Sequence, residues 1–427
     1  MISLNIGHPK PFDVLANLGE RTCLHRARED QDHDYEVYLD FTSIQRLENP
    51  TNPEHLEKLL EVAEASQPAF PFRVGFLGYE LLAANFGVQT KAPRDLKLPA
   101  ALLARPSTRI LIKGKTLQIE SHLPNRAVEL CKLAITPYQE HSFPEPTEDI
   151  SCNLSEQQYR EIFNKAKEHI LDGDTYQIKI SMRYNTAAPL PPFQAFEKLA
   201  RTNPAPEAFA MVWDDFSLIS CTPETVIHKE GDHIYTKPIG GTIPKDDDLA
   251  LEDQVDKLLN DPKETAEHNM LIDLERNDLS NICEAGSVEI EKLRDVEHYA
   301  HLHHLVTTIK GKLKQGVSAL EILKAMLPGG TITGCPKYRT IEIIDELEPC
   351  FRGPYTGSYG TFHDNGDLHL NLIIRTLIQT PHSAHIQAGG GIVVDSTPEY
   401  EYNENRVKAQ ALLDLLREET DATGPRS

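Results

Sequence analysis

The sequence predicts an α+β fold. Strand-like and helix-like stretches mix without a regular βαβ beat, which disfavours a doubly wound parallel sheet. Several stretches alternate apolar and polar residues as strands do, and the helical stretches carry their own start and stop signals. The chain has 427 residues, 40% hydrophobic and 25% charged, enough for one large or two to three ordinary domains.

Phe72–Gly87, FRVGFLGYELLAANFG, reads as a strand running into a helix, and Lys113–Ser121, KGKTLQIES, as a hairpin arm. They define a smaller α+β region over residues 1–140. Pro137–Ser151, PYQEHSFPEPTEDIS, is rich in proline and acid and marks the boundary. Beyond it, Ser155 and Gln158 form a capping box. Tyr159, Ile162, Phe163, Ala166 and Ile170 then repeat at helical spacing, and Gly173 ends the helix. In Thr175–Tyr184 one face carries Tyr176, Ile178, Ile180, Met182 and Tyr184. The other carries Gln177, Lys179, Ser181 and Arg183. Leu368–Gln379, which contains Arg375, and Ala384–Val394 are further strands. A last helix is expected from about Tyr402 to Glu419, followed by a frayed tail.

Net charge is 43 − 65 = −22. An acidic surface argues against a phosphate-backbone partner, but it leaves small anions open because they answer to local fields. The seven cysteines are scattered, with no CxxC and no His–Cys cluster, so reduced cytoplasmic thiols are expected. No apolar run is long enough to span a bilayer, and the N-terminus lacks a signal-like apolar core. A soluble, cytoplasmic protein is expected.

Two helices place acids on apolar faces. In Lys263–Asp278, Glu267 shares a face with Leu271 and Leu274, and Glu264 lies one turn earlier. In Glu401–Leu416, Glu404 lines up with Val407, Ala411 and Leu415, and Glu401 precedes by one turn. Inward carboxylates need partners, because burying an unpaired charge is expensive. Four of them suit a hard divalent cation such as Mg²⁺. The plainer alternative is a solvated acidic first turn, where acids are common.

Ala388–Val393, AGGGIV, offers either a backbone nest for a carboxylate or a plain β-bulge. Pro328–Lys337, PGGTITGCPK, departs from the Walker spacing, which excludes nucleotide binding on that ground. Arg375, among apolar neighbours, either pairs with an acid or binds an anion. His303 and His304 lack the partners of a zinc site. In Pro238–Lys245, PIGGTIPK, the glycines at 240 and 241 imply a close neighbour or a positive φ. Together these residues describe an Mg²⁺-dependent enzyme acting on a small polycarboxylate.

The segments PIGGT, ETAEHNMLIDLERND, HHLVTTIKG, PGGTITGCPK, EIIDELEP, YTGSYG, LIIRT, AGGGIV and ENRVKA occur in the order seen in chorismate-utilising enzymes. The chain resembles that family, which includes anthranilate synthase component I, aminodeoxychorismate synthase component I, isochorismate synthase and salicylate synthase. The resemblance is dense from Tyr159 to Leu416 and weaker in FRVGFLGYE. It implies two facing antiparallel sheets surrounded by helices, with a catalytic domain over residues 151–420. It also implies that Glu267 and Glu404 hold Mg²⁺, with Glu264 and Glu401 in support. Arg375 and the backbone of Gly389, Gly390 and Gly391 would hold the enolpyruvyl carboxylate. Gly240, Gly241, Thr242, Thr331 and Lys408 would line the substrate pocket, with His304 nearby as a catalytic candidate. Glu224, in CTPET, would protonate the departing C4 hydroxyl, which is a poor leaving group without a proton.

Two positions sort the subfamilies. Gln177 stands where the isochorismate and salicylate synthases carry a water-activating lysine, so ammonia is the expected nucleophile. Gly240 stands where aminodeoxychorismate synthases carry a lysine and anthranilate synthases an alanine. That residue favours anthranilate synthase. Chain length, the missing LLES segment, and GGTITGCPK, YTGSYG and LNLIIRT favour aminodeoxychorismate synthase component I, which is the expected activity, with folate biosynthesis as its setting. Lys179 is a candidate stand-in for the missing amine. Thr361 and His369 depart from the usual tyrosine and aspartate. A chorismate-binding protein with weakened catalysis is a third reading. No cysteine sits in a glycine-flanked elbow, so a separate glutamine amidotransferase subunit is expected to supply ammonia.

Overall fold

The computed structural model describes residues 2–5, 12, 15–16, 21–28, 31–49, 54–60, 73–136, 149–246, 249–298 and 302–417. Helices surround a large antiparallel sheet, as an α+β fold requires. The hydrogen bonding joins the described strands into one continuous network, so the facing layers share strands. Gln177–Thr186 pairs with Ser383–Ile392, and that strand with Thr376–Thr380. The ladder continues through Ser217–Ser220 and Phe209–Val212 to Thr22–Arg26. Tyr35–Leu47 and Ala101–Lys113 carry it to Arg73–Leu77, which pairs with Ser358–Phe362. Leu368–Leu372, Thr225–Glu230 and His233–Thr236 then lead to Leu302–Lys312, which also pairs with Ile239–Pro244. Two of these pairings, at Phe209–Val212 and Ser358–Phe362, tie the first 140 residues to the rest. Residues 137–148 of the expected boundary lie outside the described residues.

Local sequence signals act where they were read. The helix Glu156–Leu171 opens on a capping box: Ser155 Oγ accepts the Gln158 N–H at 3.3 Å, and Gln158 Oε1 accepts the Ser155 N–H at 2.9 Å. Arg73–Leu77 runs into the helix Tyr79–Asn85, and Ala101–Lys113 forms a hairpin with Thr116–Ser121. All seven cysteines are free thiols. No helix among the described residues is long and apolar enough to cross a membrane.

Three readings need correction. The strand, Gln177–Thr186, starts two residues later than expected, leaving Tyr176 71% exposed, and Gln177, Ser181 and Arg183 are as buried as the apolar face. The strand has neighbours on both edges, and its polar face is covered by acids, Gln177 meeting Glu267, Ser181 meeting Glu348 and Arg183 meeting Asp95. The stretch Leu368–Gln379 is two strands, and Arg375 sits in the break between them with φ 48°. The last helix spans Pro398–Arg417; it buries Glu401, Asn405, Ala409, Leu412 and Leu416, while Val407 is 45% exposed. The apolar stripe drawn through Val407 was therefore rotated off the true face, which begins with an acid and an amide. The expected end at Glu419 lies outside the described residues.

One buried ion pair fixes the strand that carries the site. Arg352 donates to both oxygens of Glu348, at 2.8 and 2.7 Å, and both side chains are almost wholly buried. Glu348 Oε1 also accepts the backbone N–H and the hydroxyl of Ser181, each at 2.8 Å. Glu80, from the first 140 residues, accepts the Arg352 N–H at 2.8 Å. Removing one member strands buried charge, so Arg352→Met is expected to cost about 3–5 kcal/mol of stability. Denaturant unfolding measures this; a loss below about 1 kcal/mol would show that the network is dispensable.

Candidate active site

A cavity lies where the 177–186 and 383–392 strands meet the helix Pro262–Ile282, the helix Pro398–Arg417 and the Gly330–Ile332 turn. Lys179, Glu224, Gly240, Gly241, Glu264, Glu267, His304, Thr331, Arg375, Gly389, Glu404 and Lys408 line it. The sequence-predicted residues thus converge, apart from four. Glu401 stands behind the lining. Gly390 and Gly391 lie beside it in the 383–392 strand. Thr242 pairs with His304 across a register shift, and its side chain lies outside the described residues.

The acids come from the first two turns of two helices. Asp261 caps the first, its Oδ1 accepting the N–H groups of Lys263 and Glu264 at 2.9 and 3.0 Å, with Pro262 at the opening position. This fixes the turn that carries Glu264 and Glu267. Gln177 Nε2 donates to Glu267 Oε1 at 3.0 Å. In the second helix, Lys408 Nζ lies 3.0 Å from Glu404 Oε1. Ser396 Oγ donates to Glu401 Oε1 at 2.7 Å, while Glu401 Oε2 and Asn405 Oδ1 are buried without a donor.

Gly390 explains how these oxygens come together. A Cβ there would lie 2.7 Å from Glu404 Oε2 and 2.9 Å from both Glu401 Oε2 and Asn405 Oδ1. The bare glycine lets the helix press three oxygens against the strand. Two of them lack donors, and all are hard ligands of the kind Mg²⁺ prefers. Among the described residues no three carboxylate, imidazole or thiol groups already form a closed shell. The residues fit a cation held by a few carboxylates with water or substrate completing it. Burial and the neighbouring Glu404 push Glu401 up to about 8. Burial opposes ionisation of Glu404 too, but Lys408 and Lys179 outweigh it and hold that carboxyl below its ordinary range.

Elsewhere in the lining, Thr331 donates its hydroxyl to Glu224 Oε1 at 2.6 Å. Burial pushes Glu224 up to about 7, although Thr331 and the nearby Lys179, Arg375 and Lys408 pull the other way. It is the group best suited to carry a proton near neutrality. Arg375 donates to His304 Nε2, and the same ring donates to the Gly241 carbonyl. Burial, then Arg375, keeps His304 well below its ordinary value, so it is neutral. The left-handed backbone at Arg375 is costly for a residue with a Cβ, and such strain is often retained where it aims a functional side chain.

A Cβ at Gly240 would meet Leu271 Cδ1 at 2.7 Å and His268 Nδ1 at 3.0 Å. On the side where a Cβ would project, its close neighbour is therefore the 262–282 helix, while its backbone lines the cavity. Gly241 has φ 72°, the conformation that glycine adopts without strain. Neither the nest nor the bulge describes Gly389–Gly391. They continue the ladder with the 177–186 strand without a register shift, Gly389 opposite Ser181 and Gly391 opposite Lys179. Beyond Ile386 the strand has lost its other neighbour, Thr376–Thr380. Lys337, at the end of PGGTITGCPK, turns inward to Asp278.

Residues 20–414 match the profile of the chorismate binding enzymes. The chain belongs to that family. It is 44% identical over 253 residues to a Haloarcula marismortui protein named anthranilate synthase component 1 1, covering 59% of this chain and 52% of that one. It is 40% identical over 284 residues to Bacillus subtilis aminodeoxychorismate synthase component 1, covering 65% and 60%. The chain thus spans between half and two thirds of the length of these two curated relatives. Its fold superposes on the crystal structure of anthranilate synthase component I from Streptococcus pneumoniae with a TM-score of 0.78, at 26% identity and 92% of each chain.

The two unusual residues of this family member, Thr361 and His369, lie in a second cavity that shares no lining residue with the first. His369 Nδ1 is 2.9 Å from His228 Nδ1, and its Nε2 is 2.8 Å from Glu207 Oε2. Thr361 Oγ1 lies 3.2 Å from His363 Nε2. These departures therefore leave the lining of the first cavity untouched. No periodic signal marks this cluster in the sequence, because it joins residues from five separate strands and loops.

Proposed function

We propose that this chain is an aminodeoxychorismate synthase component I, which aminates chorismate at C4. One observation carries the choice. His304 is the imidazole of the cavity, and both its nitrogens are engaged, by Arg375 and by the Gly241 carbonyl. The lining offers a protonated acid in Glu224 but no free imidazole to take the ring proton whose loss accompanies pyruvate elimination. A product that keeps its enolpyruvyl group is favoured.

In this reading Arg375 holds the enolpyruvyl carboxylate, and the open backbone edge of Gly389–Gly391 lies beside it. Glu267 and Glu404, supported by Glu264 and Glu401, would hold Mg²⁺, which when bound supplies positive charge for the ring carboxylate. Ammonia forms the C4–N bond as the C4–O bond breaks, and Glu224 delivers its proton to the departing oxygen, which leaves as water. The ammonia comes from a separate glutamine amidotransferase subunit, a reading supported by the "component 1" in the relatives' names. A second reading, anthranilate synthesis by amination at C2, is favoured by Gly240, which supplies no amine.

Product identification separates the two. The chain is incubated with chorismate, Mg²⁺ and ammonium at alkaline pH, and products are resolved by mass and fluorescence. The expected product has the mass of aminodeoxychorismate and yields 4-aminobenzoate when a lyase is added. Fluorescent anthranilate would sink the C4 assignment. Mg²⁺-dependent chorismate binding without turnover would point to a binding protein instead.

A further inference from the structure

Lys179 is an amine of the catalytic cavity for which the proposed reaction has no use. It projects from the 177–186 strand into the lining and is 13% exposed. Its Nζ lies 3.5 Å from Glu267 Oε1, the oxygen that already accepts from Gln177 Nε2 at 3.0 Å. The residue opposite is Gly391, where a Cβ would lie 2.6 Å from Lys179 Nζ. The glycine clears the path along which the amine reaches the acids. Lys179 also bears on Glu404 and Glu224, helping to hold each more acidic than burial alone would leave it.

A bracing ion pair between strand and helix is the bland account. It explains little, because Gln177 makes the shorter bond to the same oxygen and the backbone ladder already fixes the strand. A contact of 3.5 Å is at the outer limit of a hydrogen bond. The amine therefore serves as charge more than as a strut.

We propose that Lys179 is a resident counter-cation of Glu267. It neutralises that carboxylate while the divalent ion is absent, competes with the ion for it, and turns its charge to the dianionic substrate once the ion is bound. The inference rests on the reading of Glu267 as a cation holder. Removing the amine has opposite effects on two ligands, and a purely structural role would not produce that pattern.

The test is calorimetric titration of the full chain and needs no turnover. Lys179→Met and the more polar Lys179→Gln are expected to bind Mg²⁺ about tenfold more tightly without chorismate, the scale of one unit charge facing a divalent ion in a water-rich site. At saturating Mg²⁺ they are expected to bind chorismate about tenfold more weakly. Lys179→Arg keeps the charge and should stay near wild type in both titrations. Unchanged or weaker Mg²⁺ binding in both neutral variants overturns the proposal, as does unchanged chorismate binding. Glu267→Gln separates the two layers. If it binds Mg²⁺ as wild type does, the cation reading itself falls. If it loses Mg²⁺ while the neutral Lys179 variants gain nothing, only the counter-cation falls.

Discussion

Glu224→Gln is expected to lower kcat by about 10²- to 10⁴-fold, the usual contribution of a positioned general acid. Glutamine keeps an oxygen for the Thr331 hydroxyl, now 2.6 Å from Glu224 Oε1, so the pocket wall should survive. Chorismate affinity should therefore stay within about threefold, and the loss should fall on kcat. A variant retaining kcat within about threefold of wild type would remove Glu224 from the reaction.

The same residue sets a pH dependence whose sign follows from its protonation. Burial raises Glu224 to about 7, and the proposed reaction needs it protonated. Activity therefore falls as pH rises through that value. With ammonium salt as the donor, free ammonia increases in the opposite sense, so the two trends make a bell. When a glutaminase subunit delivers ammonia inside the complex, the rising limb should flatten and the falling limb remain. In Glu224→Gln the falling limb should vanish from the residual rate. Its persistence would assign that limb to another group.

How much of this was legible in the sequence differs from residue to residue. The four acids could be read because each opens a helix whose following turns are apolar, and that signal is local. The true buried face of the last helix could not, because Asn405 lies on it at a position where an amide looks like surface. The break at Arg375 was hidden by apolar neighbours that continue the strand pattern while the backbone leaves it. The helix behind Gly240 was hidden for a related reason. The crowding at this glycine comes from His268 and Leu271, in a helix that sequence alone does not bring beside the turn. The Ser181–Glu348 bonds and the His228–His369 and His369–Glu207 contacts join residues between 141 and 167 positions apart, beyond any periodicity.

Gly390→Ala should be the most damaging single-methyl change in the molecule's acid site. The added Cβ would come within 2.9 Å or less of Glu404 Oε2, Glu401 Oε2 and Asn405 Oδ1. None of the three can yield freely. Glu404 is tied to Lys408 at 3.0 Å, Glu401 to Ser396 at 2.7 Å, and Asn405 is fully buried. The carboxylate and amide ends, or the 398–417 helix that carries them, must then move off the strand, and either shift changes how Glu404 faces the cavity. Overpacking of this kind costs about 1–3 kcal/mol of stability, which a chain of this size can bear. The expected result is a folded protein with a modestly lowered melting temperature and at least a hundredfold loss of both Mg²⁺ affinity and chorismate turnover, because the methyl acts on the geometry between two ligand pairs. Calorimetric Mg²⁺ titration alongside a thermal melt reads both effects. A folded Gly390→Ala variant that binds Mg²⁺ as tightly as wild type would mean that the oxygens gathered at this glycine do not hold the ion, and the site would have to be sought around Glu264 and Glu267 alone.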